Sequence, residues 1–469
     1  MNISSRIAGI SAFFLAAALF YAPLAYGCTR PDMLPALFCL LLASIVIGMA
    51  GFLAMRNWPD IPKWALFCVA AVLLQGWWMT WNPVFTSIVS GDGGVVDTTA
   101  ENIYRLSYNS MAITSLLLGV FLVLCELFDD AYLRRFILLA AAFSGVLISV
   151  FGIVLKLAGD PLMHYFWRPL DSDWNDFALY RYHANAGAFL NLAWPLILVF
   201  TRRAYSPTGT FVRKVVWTFS ALACGSALFL NASKASLAIG LLILPWPFST
   251  GLMRMKRRNL FILGACTLFL IAGGLFASSK MTREAAFQRM TNATEVSASF
   301  DGRWEAYQQY VNAVPAVGWF GLGPGLFQVA FPYQMSPLGN VSIAMRDYAH
   351  EDYLQTVLEW GWLGTLWWTL LVVGGLYRGI RTYMQRELFP SKTDRHLILA
   401  AILGVCGTLA QSLIDFPLQI ASIRLFFLVL LAFCWASPKL LTTPPKAASA
   451  MRRYRLPIPT DKPITTSSR

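Results

Sequence analysis

The sequence predicts an all-α polytopic membrane protein with about twelve transmembrane helices. Three observations carry that prediction. The chain is 57% hydrophobic and only 13% charged, about half the charged share of a soluble protein. Its apolar residues gather into windows of roughly 17 to 25 residues, long enough to cross about 30 Å of hydrocarbon as helix. Its Lys and Arg fall mainly in alternate short loops between those windows. A net charge of +13 could otherwise suggest a nucleic-acid partner. Clustered in inter-helix loops, the basic residues are read as membrane topology, and no nucleic acid is expected.

The first window, 7–27, runs into "PLAYG" and Cys28. That junction is a poor lipoprotein cleavage site and more spans follow, so the segment is read as an uncleaved helix. Windows at 34–54, 64–82, 110–128 and 136–157 follow, then 184–200 behind "LYRYHANAGAFLNLAWPL". Only "NASKA" separates 215–231 from 235–252, the weakest boundary in the chain. Windows at 259–277, 352–377, 396–412 and 422–437 complete the set. No internal repeat of the kind many transporters carry is visible.

Charge orients the spans. The loops "RNWPDIPK", "DDAYLRR", "TRRAYSPTGTFVRK", "RMKRR" and "RGIRTYMQRELFPSKTDR", with both termini, hold most of the 37 Lys and Arg. The bias predicts both termini in the cytoplasm. It puts segments 158–183 and 278–351 outside, in the periplasm. The expected organisation is one transmembrane domain, 1–437, with a large periplasmic loop at about 278–351. The tail 438–469, rich in Pro, Thr and basic residues, is expected to be disordered in the cytoplasm, where it can rest on anionic membrane lipid. Eight cysteines without a CxxC pair, seven of them in apolar windows, argue against a disulfide framework or a zinc site.

Polar residues in or beside spans are costly and need a reason. Four outer stretches stand out. Arg181 and His183 precede the sixth span, and a guanidinium fork suits phosphate oxygens; interfacial snorkelling is the bland alternative. Lys234 tops the "NASKA" hairpin. Arg303 begins a helix-like stretch in which Trp304, Tyr307 and Val311 recur at helical spacing. The "GLGPG" run that follows has no strand before it and no Lys-Ser/Thr after it, so it is not a P-loop; Gly321, Gly323 and Gly325 are read as turn residues. Finally "YAHEDYLQTVLEWGWLG" places His350, Glu351 and Asp352 side by side at the mouth of a hydrophobic span. His350 is the residue best suited to move a proton, while Glu351 and Asp352 suit capping a helix. Glu359, deeper in the same helix, needs a buried partner or a wet cavity. Gly361 and Gly364 offer a small-residue face for helix contact. The only outer acidic grouping, Asp171, Asp173 and Asp176, is held in reserve as a metal site; no metal and no other cofactor is expected.

Taken together, these stretches resemble the O-antigen ligase and O-antigen polymerase superfamily, bacterial membrane glycosyltransferases that use undecaprenyl-pyrophosphate-linked glycans. "DGRWEAYQQYVNAVPAVGWFGLGPGLF" is similar to the family's Arg-bearing stretch and Gly-rich turn, and "HEDYLQTVLEWGWLG" to its His pattern. Arg181 and Asn185 in "RYHANAGAFLNLAWPL" match an earlier Arg-plus-Asn motif. "LIDFPLQIAS", with Asp415, resembles the penultimate outer loop. "NASKASLA" resembles a Ser-Arg-Gly segment but carries Lys234 in place of Arg, and Glu351 stands where the family often has Asn. The resemblance covers about 180–437.

It implies a fold of the membrane glycosyltransferase type called C, with no nucleotide-sugar domain. It implies a metal-independent, inverting transfer in polysaccharide or lipopolysaccharide biosynthesis. His350 would be the catalytic base and Arg181 and Arg303 the pyrophosphate ligands. Lys234, Glu351, Asp352, Asn185 and Asp415 would support them. The acceptor would be another lipid-linked glycan, as in a polymerase, or lipid A core, as in a ligase, with flippase or polysaccharide-export proteins as partners. A secondary transporter of an anionic substrate, binding through Arg181, Arg303 and Lys234, is the competing reading.

Overall fold

The computed structural model describes residues 3–54, 59–84, 99–158, 177–231, 233–246, 304, 307–334 and 348–441. Among the described residues, ten helices are long and apolar enough to cross a membrane, and the only strand-like pairing is a single bridge between Phe177 and Tyr180. In chain order the helices are α1 (Ile3–Leu24), α2 (Leu34–Ala54), α3 (Lys63–Trp81), α4 (Ala100–Leu127), α5 (Ala131–Ala158), α6 (His183–Ala204), α7 (Phe211–Leu230), α8 (Lys234–Ile243), α9 (307–317), α10 (Phe327–Gln334), α11 (Asp352–Met384), α12 (Lys392–Gln411) and α13 (Ala421–Ala436).

Ten of the twelve expected spans thus appear as helices. The eighth, expected at 235–252, begins as α8, whose ten residues are too short to cross. Its continuation, the expected span 259–277, the loop up to Arg303 and the tail from 442 lie outside the described residues. Several helices outrun their apolar windows. α4 starts at Ala100 because Thr99 caps it, its hydroxyl accepting from the Asn102 N–H at 3.3 Å. Helical hydrogen bonding continues past the hydrocarbon edge, whereas hydropathy registers only the part inside it.

α6 and α13 form the centre. The apolar window of α6 is 100% buried and that of α13 83%, which makes them the interior of the bundle and not its lipid face. α5, α7 and α12 pack around α6, while α4, α11 and α12 pack around α13; α1 lies on α2 and α5, and α3 on α4 and α11. Peripheral helices expose Leu42, Val46, Leu53, Leu74, Trp78 and Phe219, a surface suited to lipid. Since lipid is as apolar as Leu, helix association relies on small polar contacts. Ser11 donates to the Ser44 carbonyl at 2.7 Å, Ser144 to that of Leu19 at 2.8 Å, and Thr80 and Ser107 share a hydrogen bond of 2.9 Å.

The alternation read from charge recurs as two ends of the bundle. At one end Lys439 pairs with Glu126 at 2.9 Å, and the Asp60 N–H donates to the same carboxylate. Arg134 meets Asp394 there at 3.3 Å. At the other end the Tyr180 hydroxyl meets Ser422 and Tyr307 reaches His350. This second end carries the candidate site.

Candidate functional site

The site is assembled at the mouth of α11. Glu351 is its N-cap, extended at φ −159°, with its carboxylate accepting from the N–H groups of Tyr353 (3.3 Å) and Leu354 (2.5 Å). These otherwise orphaned first-turn donors are what a capping carboxylate satisfies. Burial pushes the Glu351 carboxyl above its ordinary range, and the two N–H bonds oppose that shift. With its oxygens committed to the backbone, Glu351 works as a cap.

One residue earlier His350 sits at φ +53°, a left-handed conformation uncommon outside glycine. Two contacts hold this turn: the Tyr307 hydroxyl donates to the His350 carbonyl at 2.6 Å, and the Ala349 N–H donates to Gln355 at 3.1 Å. The imidazole is buried, with Nδ1 3.7 Å from the Asp415 carboxylate. Its ring meets Phe416 edge-on at 4.6 Å, and Phe416 is stacked between Tyr348 (4.3 Å) and Tyr182 (5.6 Å). An imidazole beside a carboxylate is the base-plus-orienter arrangement of general acid–base and nucleophilic sites.

Asp415 reaches His350 because Asp352 and Arg424 grip the loop that carries it. Asp352, 2% exposed, accepts from the Ser412 hydroxyl (2.8 Å), the Leu418 N–H (2.9 Å) and the Gln419 amide (3.0 Å). Arg424 takes the other side of the same residue, donating to the Leu418 carbonyl at 2.8 Å, and also donates to Thr114 at 3.2 Å. Asp352→Ala is therefore expected to leave three donors without their acceptor and to destabilise the protein by about 3 kcal/mol. Asp352→Asn, which keeps the oxygen acceptor, should lose distinctly less. Thermal unfolding of the purified variants in detergent checks the order.

The Gly-rich turn has a structural task. Gly321, Gly323 and Gly325 have φ of +75°, +118° and +74°, in line with their reading as turn residues. The turn lies along a kink in α11 at Gly361 (φ +64°, ψ −173°). There the N–H groups of Leu322 and Gly323 donate to the carbonyls of Leu358 and Glu359, both at 2.9 Å, and the Leu363 N–H donates to that of Trp319 at 3.1 Å. The buried partners that Glu359 required are the Gly325 N–H at 3.0 Å and the Gln355 amide at 3.1 Å. Gly361, read as a packing glycine, is the kink itself. The apolar face of α9 also differs from the spacing noted in the sequence. Trp304 and Val311 are exposed, and the buried face runs through Tyr310, which packs on Phe327, Ala349 and Leu358.

The other candidates attach to this frame. Gln411, at the end of α12, donates to the Ala184 carbonyl at 2.8 Å and accepts from Ser236 of α8 at 3.2 Å. Asn185 is thereby set in the first turn of α6, with its Oδ1 buried and without a hydrogen-bond partner among the described residues. Lys234 is exposed at the first position of α8, behind its cap Ser233. Arg181 is exposed beside Tyr182, an aromatic neighbour of His350. Arg303 lies outside the described residues, as do Asp171, Asp173 and Asp176; in sequence Arg303 precedes Tyr307 by one helical turn. Among the described residues no three His, Cys, Asp or Glu side chains group as metal ligands. Sequence reasoning missed Arg424, although an Arg inside "ASIRLFFLVLL" was a visible signal. It also missed Phe416, and took Tyr307 only as part of a helical face, since hydropathy holds no signal for their contacts with His350.

No curated protein matches the chain. Residues 219–369, from α7 through the Gly-rich turn and His350 into α11, match the family model for O-antigen ligase, and this match supports the O-antigen ligase and O-antigen polymerase superfamily for the chain.

Proposed function

We propose that the protein transfers a glycan from a lipid-pyrophosphate donor to an acceptor hydroxyl at the periplasmic face of the inner membrane. The observation that carries this reading is the His350–Asp415 pair, 3.7 Å apart at the mouth of a membrane helix. Tyr182, next to Arg181, is an aromatic neighbour of His350, and Ser236, near Lys234, donates to Gln411 at 3.2 Å, which supports bringing those two cations to the same site.

Asp415 orients the imidazole, and His350 takes the proton of the acceptor hydroxyl through Nε2. The acceptor oxygen bonds to the anomeric carbon as the bond from that carbon to the phosphate oxygen breaks, on the opposite face and with inversion. The lipid pyrophosphate departs with its charge met by Arg181 and Arg303, and Lys234 adds potential. Asp352 and Glu351 hold the His350 turn in place. The guanidinium groups do the work a divalent ion would otherwise do, so the reaction runs without metal. The acceptor is a second lipid-linked glycan, as in a polymerase, or lipid A core, as in a ligase; the same donor chemistry serves either.

Reconstituted protein supplied with an undecaprenyl-pyrophosphate oligosaccharide and each acceptor in turn is expected to form the transferred glycan, with undiminished rate in EDTA. Absence of product with both acceptors overturns the reading. Activity lost in EDTA and restored by magnesium overturns its metal-free part, and Asp171, Asp173 and Asp176 then become candidate ligands.

A further inference from the structure

At the end of the bundle opposite His350, the start of α5, the end of α6, the start of α7 and the start of α12 bring arginines together around one carboxylate. Asp394 is 4% exposed and its Oδ2 is shared by Arg134 at 3.3 Å and Arg135 at 3.9 Å. Arg134 also donates to the Phe128 and Asp129 carbonyls, at 2.8 and 3.3 Å, while its Nε and Asp394 Oδ1 are buried without a hydrogen-bond partner among the described residues. Its charge is met by Asp394 and Asp129. That leaves an excess. Half-buried Arg203 lies within electrostatic reach of Arg135, Arg213 and Asp394. The Arg135 side chain is 37% exposed, yet its Nε is buried without a hydrogen-bond partner among the described residues. Alongside, Arg202 donates to His396 Nε2 at 2.7 Å, while His396 Nδ1 engages the Lys392 carbonyl. That tautomer is a neutral imidazole, which adds no negative charge.

Loop cations that only set topology need be no more than solvated. Arg135 and Arg203, both part-buried beside one already shared carboxylate, repel each other, and exposed Arg213 adds its charge next to Arg203. An anion relieves that repulsion, and guanidinium forks suit phosphate oxygens. The helices that supply them end at the edge of a span, the depth of a lipid headgroup. We infer that Arg135, Arg203 and Arg213 form a binding site for the phosphates of an anionic phospholipid, separate from the glycan-transfer site and independent of that reading.

The test is thermal unfolding of the full-length protein, delipidated in neutral detergent, titrated with cardiolipin, phosphatidylcholine or inorganic pyrophosphate. Cardiolipin is expected to raise the midpoint saturably, and the other two to leave it unmoved. The double variant R135Q/R203Q is expected to bind cardiolipin at least about tenfold more weakly. An equal shift with phosphatidylcholine overturns the site. An equal shift with pyrophosphate overturns the lipid as its occupant, and wild-type affinity in the double variant overturns the residues. Should R135Q/R203Q fail to fold, R213Q, at an exposed position, replaces it. A several-fold weaker titration is then expected, and unchanged affinity overturns the proposal.

Discussion

His350→Gln is expected to stop glycan transfer while the protein remains inserted at its normal level. Loss of a general base typically slows a reaction by about 10²- to 10⁴-fold. Gln keeps a hydrogen-bonding side chain but cannot take up the proton. The contact that holds the turn, from the Tyr307 hydroxyl, is to the backbone carbonyl of residue 350 and survives the change. A mere helix-capping role predicts a different result, a loss of about 1 kcal/mol of stability with activity retained. Cellular polysaccharide yield beside a blot of protein level separates the two, and near-normal product from the Gln variant dismisses His350 as the base. Asp415→Asn is the companion change. It keeps an oxygen for the Phe416 N–H, which Asp415 now accepts at 3.0 Å, but removes the charge beside His350. A smaller loss than that of His350→Gln is expected.

Gly361→Ala should be the most damaging change to the fold. At φ +64° and ψ −173° the residue occupies a region that is essentially glycine-only, and a side chain there carries about 1–3 kcal/mol of backbone strain. The added Cβ would also meet the Trp319 carbonyl oxygen, which accepts from the Leu363 N–H of α11, and lie 2.5 Å from the Gly321 nitrogen, which donates to the Val317 carbonyl. Strain and clash together should remove the protein from the membrane fraction or sharply lower its unfolding midpoint. Gly364→Ala is the control, three residues on in ordinary helix. Its Cβ would meet the Trp360 Cβ at 2.7 Å and the Gln75 amide at 3.1 Å, but without the positive-φ strain of residue 361, so a smaller loss is expected. A Gly361→Ala protein that accumulates and melts like wild type shows that the kink is dispensable.

The kink also explains how the segment before α11 bears on the site. α9, the Gly-rich turn and α10 do not cross the bundle. They lie along the first part of α11, sharing a small core of Tyr310, Phe327, Ala349 and Leu358. Through Tyr307 that layer fixes the backbone of His350, and through Glu359 it is tied to the helix interior. Glycines in "GLGPG" resembled a phosphate-binding turn only in composition; their conformations serve the close approach of two backbones.

Composition and hydropathy alone determined that the chain is helical and membrane-spanning. Charge alternation determined which segments share an end of the bundle, because basic residues and apolar windows each write a local pattern. His350, Glu351 and Asp352 were conspicuous for the same reason, since titratable groups at the edge of a hydrophobic run stand out in one dimension. What they do was decided in three. Glu351 and Asp352 look alike in sequence, yet one caps its own helix and the other clamps a loop more than sixty residues away. Asp415, Phe416, Arg424 and Tyr307 join His350 only because α12, α13 and α9 are packed against α11. A hydrogen bond depends on separations of about 3 Å in space, and no periodicity along the chain records which distant residues will meet at that distance.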